Sequence, residues 1–295
     1  MALVQTEFSS EPSQTAERSV RRAQRFWRNR SFLIGGAIAC LVIIVAVFAP
    51  WLTPYPPNVQ SYSTVLQGPS SHHWLGTDQL GRDELSRLFV GARTSMTVSG
   101  GSLIIGLVVG VPIGLISGFY RGFWDDWIIM RMVDAMQAFP FLILALVLAA
   151  MLGPGEWNAT MAIGVGYIPI FVRIVRGQVM AELEKEFVLA ARMMGASDRR
   201  IMWRHIFPNI TTPLIVQMTL AMANGIIAEA SLSYLGLGVS PPTASWGTML
   251  HDAQGYLGQA SYLAIVPGIA IGIAVLGFNL LGDGLQQWLN PRQRA

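Results

Sequence analysis

The sequence predicts an all-α, polytopic membrane helix bundle, and three observations carry that prediction. Of its 295 residues, 52% are hydrophobic and only 13% charged, a balance rare in a soluble chain of this size. Six stretches are long and apolar enough to cross a bilayer, which takes about 20 mainly apolar residues per helix. The basic residues, behind a net charge of +3, fall in patches between those stretches. That placement speaks for membrane topology and against nucleic-acid binding.

The predicted spans are 32–52, 95–119, 128–152, 157–176, 211–236 and 263–282. Pro112 and Pro140 punctuate two of them, which membrane helices tolerate where neighbours satisfy the freed backbone groups. Residues 1–17 are polar and lack the basic start and apolar core of a signal peptide, so they read as a disordered cytoplasmic tail. Residues 18–30 place Val20, Ala23 and Trp27 at helical spacing among arginines, the pattern of a basic helix on a membrane surface. The single cysteine, Cys40, lies in an apolar run and can form neither a disulfide nor a CxxC site within one chain.

Orientation follows from the arginines and the single lysine. Arg18, Arg21, Arg22, Arg25, Arg28 and Arg30 precede the first span, and seven basic residues lie from Arg173 to Arg204. The 237–262 loop has none. Both termini, including the tail 286–295, and the 180–209 loop are therefore expected in the cytoplasm, with 53–94 as an extracytoplasmic loop. Arg82, Arg87 and Arg93 run against that rule, with Asp78, Asp83 and Glu84 close enough to offset them.

The segment 180–209, MAELEKEFVLAARMMGASDRRIMWRHIFPN, is not a span. Leu183, Phe187, Ala190, Ala191 and Met194 recur every three to four residues and give a helix one apolar face. Gly195 is expected to end that helix, Ser197 to cap a second short one, and Pro208 to stop it before the next span. Such a knob either packs on its own bundle or enters a groove on a soluble partner.

Four stretches carry a resemblance to a known family. LAARMMGASDRRIMWRHIFPN is similar to the cytoplasmic loop consensus of binding-protein-dependent ABC importer permeases, Glu-Ala-Ala, three residues, Gly, nine residues, Ile-x-Leu-Pro. Ala190, Ala191, Gly195 and Pro208 match, while Leu189, His205 and Phe207 stand at the Glu, Ile and Leu positions. WLGTDQLGRDELSRLFVGAR (74–93), EASLSYLGLGVSPPTASWGTML (229–250) and FNLLGDGLQQWLNP (278–291) resemble the C-type permease of dipeptide, oligopeptide, glutathione and nickel importers.

The resemblance implies a core domain of five helices, 95–285, preceded by one added amino-terminal helix, in a bacterial inner membrane. It implies a homologous second permease subunit, two ABC ATPase subunits and an extracytoplasmic peptide-binding protein as partners. Phe187, Ala190, Ala191, Gly195, Ala196, Ser197, His205 and Pro208 then form the coupling loop on which the ATPases dock. The implied cargo is di- or oligopeptides, with glutathione or nickel as the alternatives.

The chain itself carries no GxxxxGK[ST] phosphate loop, since its only lysine, Lys185, sits in the sequence EKE. ATP and magnesium are therefore expected on partner subunits, with no cofactor on this chain. HExxH and GxSxG are absent, which leaves an intramembrane enzyme without its chemistry. A secondary transporter or channel calls for inverted repeats or several ionisable groups at mid-membrane, and Glu229 stands alone. Glu229 reads either as a contact in the translocation path or as a helix-to-helix hydrogen bond. Arg131 and Asp134, three apart, read as a structural pair. His72 and His73 are adjacent without a third ligand, so no metal site is expected. Trp246, after Pro241 and Pro242, is expected either to meet the binding protein or to anchor at the headgroups.

Overall fold

The computed structural model describes residues 30–123 and 125–289, and every named element in it is helical. The expected tail 1–17 and, apart from Arg30, the basic surface helix 18–30 lie outside the described residues, as do positions 290–295. Among the described residues five helices are long and apolar enough to cross a membrane: α1 Arg30–Leu52, α2 Glu84–Phe119, α5 Glu156–Leu183, α7 Asp198–Tyr234 and α9 Tyr262–Leu289. Between them lie α3 Asp125–Gln137, α4 Phe141–Leu152, the short α6 Glu186–Met193 and α8 Trp246–Ala253.

The bundle is built on glycine. Gly106, Gly110, Gly114 and Gly118 recur every fourth residue on α2 and face α5. A Cβ on Gly110 would sit 2.8 Å from Phe171 Cβ and 2.9 Å from the Ile168 carbonyl, so only glycine lets the two backbones approach this closely. Helix α1 uses a second small-residue seam. Gly35, Ala39, Val42, Ala46 and Ala49 are its buried residues, spaced alternately four and three. They meet α9, where a Cβ on Gly277 would lie 2.5 Å from Ile38 Cγ2. Leu41, Ile44, Val47 and Phe48 stay on the outer face of α1, suited to lipid.

Four expected boundaries change. The predicted span 128–152 is two helices bent by 91° at Ala138–Pro140. Pro140 has no N–H to continue the α3 ladder and pushes the residue before it out of helical geometry. The span expected from 95 begins at Glu84, because Asp83 accepts from Ser86 N at 2.8 Å and caps it there. At 36 residues α2 is about 54 Å long, well beyond a hydrocarbon core of about 30 Å. Its first turns take up the end of the expected 53–94 loop, and the segment before the helix is 53–83. Pro208 does not interrupt the chain: the second loop helix runs into the next span as one rod, α7. Its residues Ile201–Ile206 form a π-turn, with Phe207 N–H reaching Met202 O five residues back. That wider turn relieves the clash between a proline ring and the carbonyl four residues behind it. Last, α9 continues to Leu289, past the expected end of the core at 285.

Candidate functional site

The 180–209 loop sits at one end of the bundle as α6 and the first turns of α7. Gly195 adopts φ +77° and closes α6 with a paired cap, its own N–H to Arg192 O at 2.9 Å and Ala196 N–H to Ala191 O at 3.0 Å. This is the left-handed ending that glycine provides without a Cβ penalty. Ser197 takes the N-cap position of α7 as expected, but its hydroxyl makes no capping bond; only its carbonyl engages, accepting from Ile201 N–H at 2.9 Å.

The expected apolar face of α6 divides in two. Val188 and Ala191 are buried and share a core cluster with Ile201, Met202 and Ile206. Phe187, Ala190 and Met194 face outward, together with Leu189 and Met193; the two methionines are 90% and 80% exposed in the order Met193, Met194. One face thus anchors the knob and the other presents five apolar side chains to solvent. Ala196 and His205 are half-buried at its flank, and Pro208 is exposed.

Beside the knob, side chains that sequence reasoning missed tie the bundle helices together, and one of them reaches the knob itself. Arg176 of α5 donates to Asp125 Oδ2 from Nε at 3.0 Å and from Nη2 at 2.6 Å. Ser117 of α2 donates to the other Asp125 oxygen. The guanidinium of Arg192 on α6 lies 5.8 Å from the centre of the Phe119 ring. Three helices and the loop therefore meet in one cluster. Arg131 and Asp134 do not pair: Arg131 stacks over Trp127 at 5.6 Å, and Asp134 bonds Arg173 of α5. A spacing of three permits the expected pair, but a partner on the facing helix competes better.

The opposite end carries its own polar network. Asp78 accepts from Arg82 Nε at 2.6 Å and lies 3.4 Å from Arg87 Nε, while both arginines also reach Asp252 Oδ2, at 3.3 and 3.4 Å. Arg82 and Arg87 are thereby neutralised within the fold, which accounts for basic residues in the segment expected outside. His73 bonds Asp83 at 2.8 Å, and among the described residues no three His, Cys, Asp or Glu side chains gather as metal ligands.

Two expected contact residues are enclosed. Trp246 is 3% exposed; its indole Nε1 donates to Leu88 O at 3.2 Å and its backbone N–H to Ser95 Oγ at 3.2 Å. It begins α8 against α2, where Gly91 leaves room for its ring, so it presents nothing to a binding protein. Glu229 is 0% exposed; it accepts from Ser233 Oγ on its own helix at 2.8 Å, and the hydroxyls of Ser95 on α2 and of Ser245 before α8 are its other hydrogen-bonding neighbours. Enclosed in this conformation, Glu229 fits the helix-bonding reading better than the path reading.

The comparisons agree with this architecture. Residues 110–295 match the family described as binding-protein-dependent transport system inner membrane component, and residues 19–69 match the N-terminal transmembrane domain of oligopeptide transport permease C. The chain is 45% identical over 270 residues to the glutathione transport system permease protein GsiD of Salmonella typhimurium, covering 91% of this chain and 89% of that protein. The GsiD of Shigella flexneri is 44% identical over the same shares. An inward-facing structure of the MetNI methionine ABC transporter has the same fold, with a TM-score of 0.57 and 20% identity over 67% of this chain and 93% of that one. This chain belongs to the binding-protein-dependent inner membrane component family and is the membrane permease of an ABC importer.

Proposed function

We propose that this permease passes glutathione, a small tripeptide, across the inner membrane in an importer driven by ATP on partner subunits. The single observation that carries the substrate is the 45% identity, over 91% of the chain, to permeases of glutathione transport systems. It favours glutathione over the broader di- and oligopeptides that the sequence suggested. The 180–209 end is cytoplasmic in this reading, as are both termini, and two ABC ATPases grip the exposed apolar face of α6. A homologous second permease completes the pathway, and an external binding protein delivers the ligand to the opposite end.

ATP binding draws the ATPases together only if that motion lowers the free energy of the nucleotide-bound state. The knob then has to move as a rigid piece, because a packed element transmits displacement. The buried contacts of Val188 and Ala191, the Arg176–Asp125 bond and the continuous rod of α7 support such a transmission.

The test is uptake of labelled glutathione, dialanine, trialanine and nickel ion in cells lacking this chain and complemented with it. Glutathione uptake restored most strongly supports the reading. Restoration of nickel or dialanine alone keeps the transporter class and overturns the substrate.

A further inference from the structure

Resting on this permease reading, we propose that Gln217, Asn224 and Ser231 of α7 form a polar track that the peptide touches as it crosses. The three residues stand seven apart, and Leu220, Ile227 and Tyr234 fill the alternate positions, so all six share one stripe of the helix. Two helical turns separate successive polar groups, about 10.5 Å each, and the track runs about 21 Å along the rod.

Apart from Leu220, which packs beside Gly282 of α9, this stripe is turned away from the chain's own core. Asn224, Ile227 and Tyr234 are exposed, and Gln217, Leu220 and Ser231 are half-buried. Neighbouring residues Ala221, Ala223, Gly225, Ile226, Ala228 and Glu229 are buried against the other helices. Among the described residues the amides of Gln217 and Asn224 have no hydrogen-bond partner, and Ser231 Oγ donates only to Ile227 O, at 2.8 Å. At the end away from the coupling loop the stripe opens into a groove of about 460 Å³, bounded by Ile227, Ser231 and Tyr234, Leu250 of α8 and Ile271 of α9. That volume lies in the range of small-ligand sites, about 300 to 1,000 Å³.

Three surroundings could meet such a stripe. Hydrocarbon would strand two side-chain amides with neither water nor protein to bond them. A tight seam with another helix favours small residues, and of these six only Ser231 is small. Water carrying a peptide fits best. An amide both donates and accepts, so it can pair with the N–H, the carbonyl and the carboxylate of a peptide in turn. The absence of charge on all six residues suits a solute that must pass and not stay.

The experiment uses the assembled importer with Cys40→Ser as background and one cysteine at 217, 224 or 231. A membrane-impermeant sulfonate methanethiosulfonate and a lipid-soluble maleimide are compared, with Leu41→Cys on the outer face of α1 as the lipid control. The track predicts fast sulfonate labelling at all three positions and none at Leu41→Cys. Labelling by the maleimide alone would place the stripe in lipid, and resistance to both reagents would place it in a sealed subunit contact; either overturns the proposal. In transport, Asn224→Leu is expected to lower kcat/KM for glutathione roughly tenfold with assembly intact, and Asn224→Gln to recover most of it. Unlabelled positions in a complex that imports glutathione would refute the track alone. Labelled positions in a complex that imports no glutathione would refute the substrate and keep an aqueous track.

Discussion

Arg176 holds Asp125 through two nitrogens, at 3.0 and 2.6 Å, and the carboxylate is 3% exposed beneath them. The bond joins α5 to the start of α3 beside the coupling knob. Removing the guanidinium would leave a buried carboxylate with Ser117 as its remaining close partner. Arg176→Ala is therefore expected to destabilise the subunit by about 3 kcal/mol. Arg176→Lys should lose less, because an ammonium restores the charge but not the planar fork. Thermal unfolding of the detergent-purified subunit checks both; an unchanged midpoint in Arg176→Ala would contradict the structural role.

The glycine seam between α2 and α5 makes a sharper contrast. Gly110→Leu forces a side chain into Phe171 and the Ile168 backbone, and is expected to block assembly of the folded chain. Gly177→Ala, on α5 itself, meets nothing within 4 Å. It should be neutral or stabilising by up to about 1 kcal/mol, since alanine is the better helix former. Equal yields of folded protein from the two variants would refute the seam.

At the far end, Asp78 accepts from Leu80 N–H and Arg82 N–H, each at 2.9 Å, as well as from the Arg82 side chain. Asp78→Ala leaves two buried arginines with only their long contacts to Asp252 and is expected to cost about 3 kcal/mol. Asp252→Asn should cost under about 1 kcal/mol, because Asp252 is a quarter exposed and its contacts are long, 3.3 and 3.4 Å. Limited proteolysis within 53–83 reads the difference: the first variant should be cut faster, and the second near the native rate.

These results mark what the sequence could and could not disclose. Long apolar runs locate membrane helices because the bilayer sets their length, so α1, α5 and α9 fall close to expectation. Gly195 was legible because a left-handed helix end has few other solutions. The direction of α6 was not. Phe187, Ala190 and Met194 form one stripe and Val188 and Ala191 the adjacent one, and an eight-residue helix is too short for periodicity to say which is buried. Trp246 escapes for a different reason: an indole suggests a surface by type, whereas Ser95, 151 residues away, and Leu88, 158 away, decide its burial. The Arg82–Asp252 contact spans 170 residues and leaves no local signature.

On the proposed function, the outward face of α6 is where ATPase subunits drive this permease. Met193 and Met194 are so exposed that Met193→Asp with Met194→Asp disturbs no packing within the chain. The decisive measurement is co-purification of the ATPase subunits with the tagged permease from membranes, alongside glutathione uptake. The prediction is a permease present at native levels, stripped of ATPase and unable to import. Retention of both ATPase subunits with full uptake would contradict it.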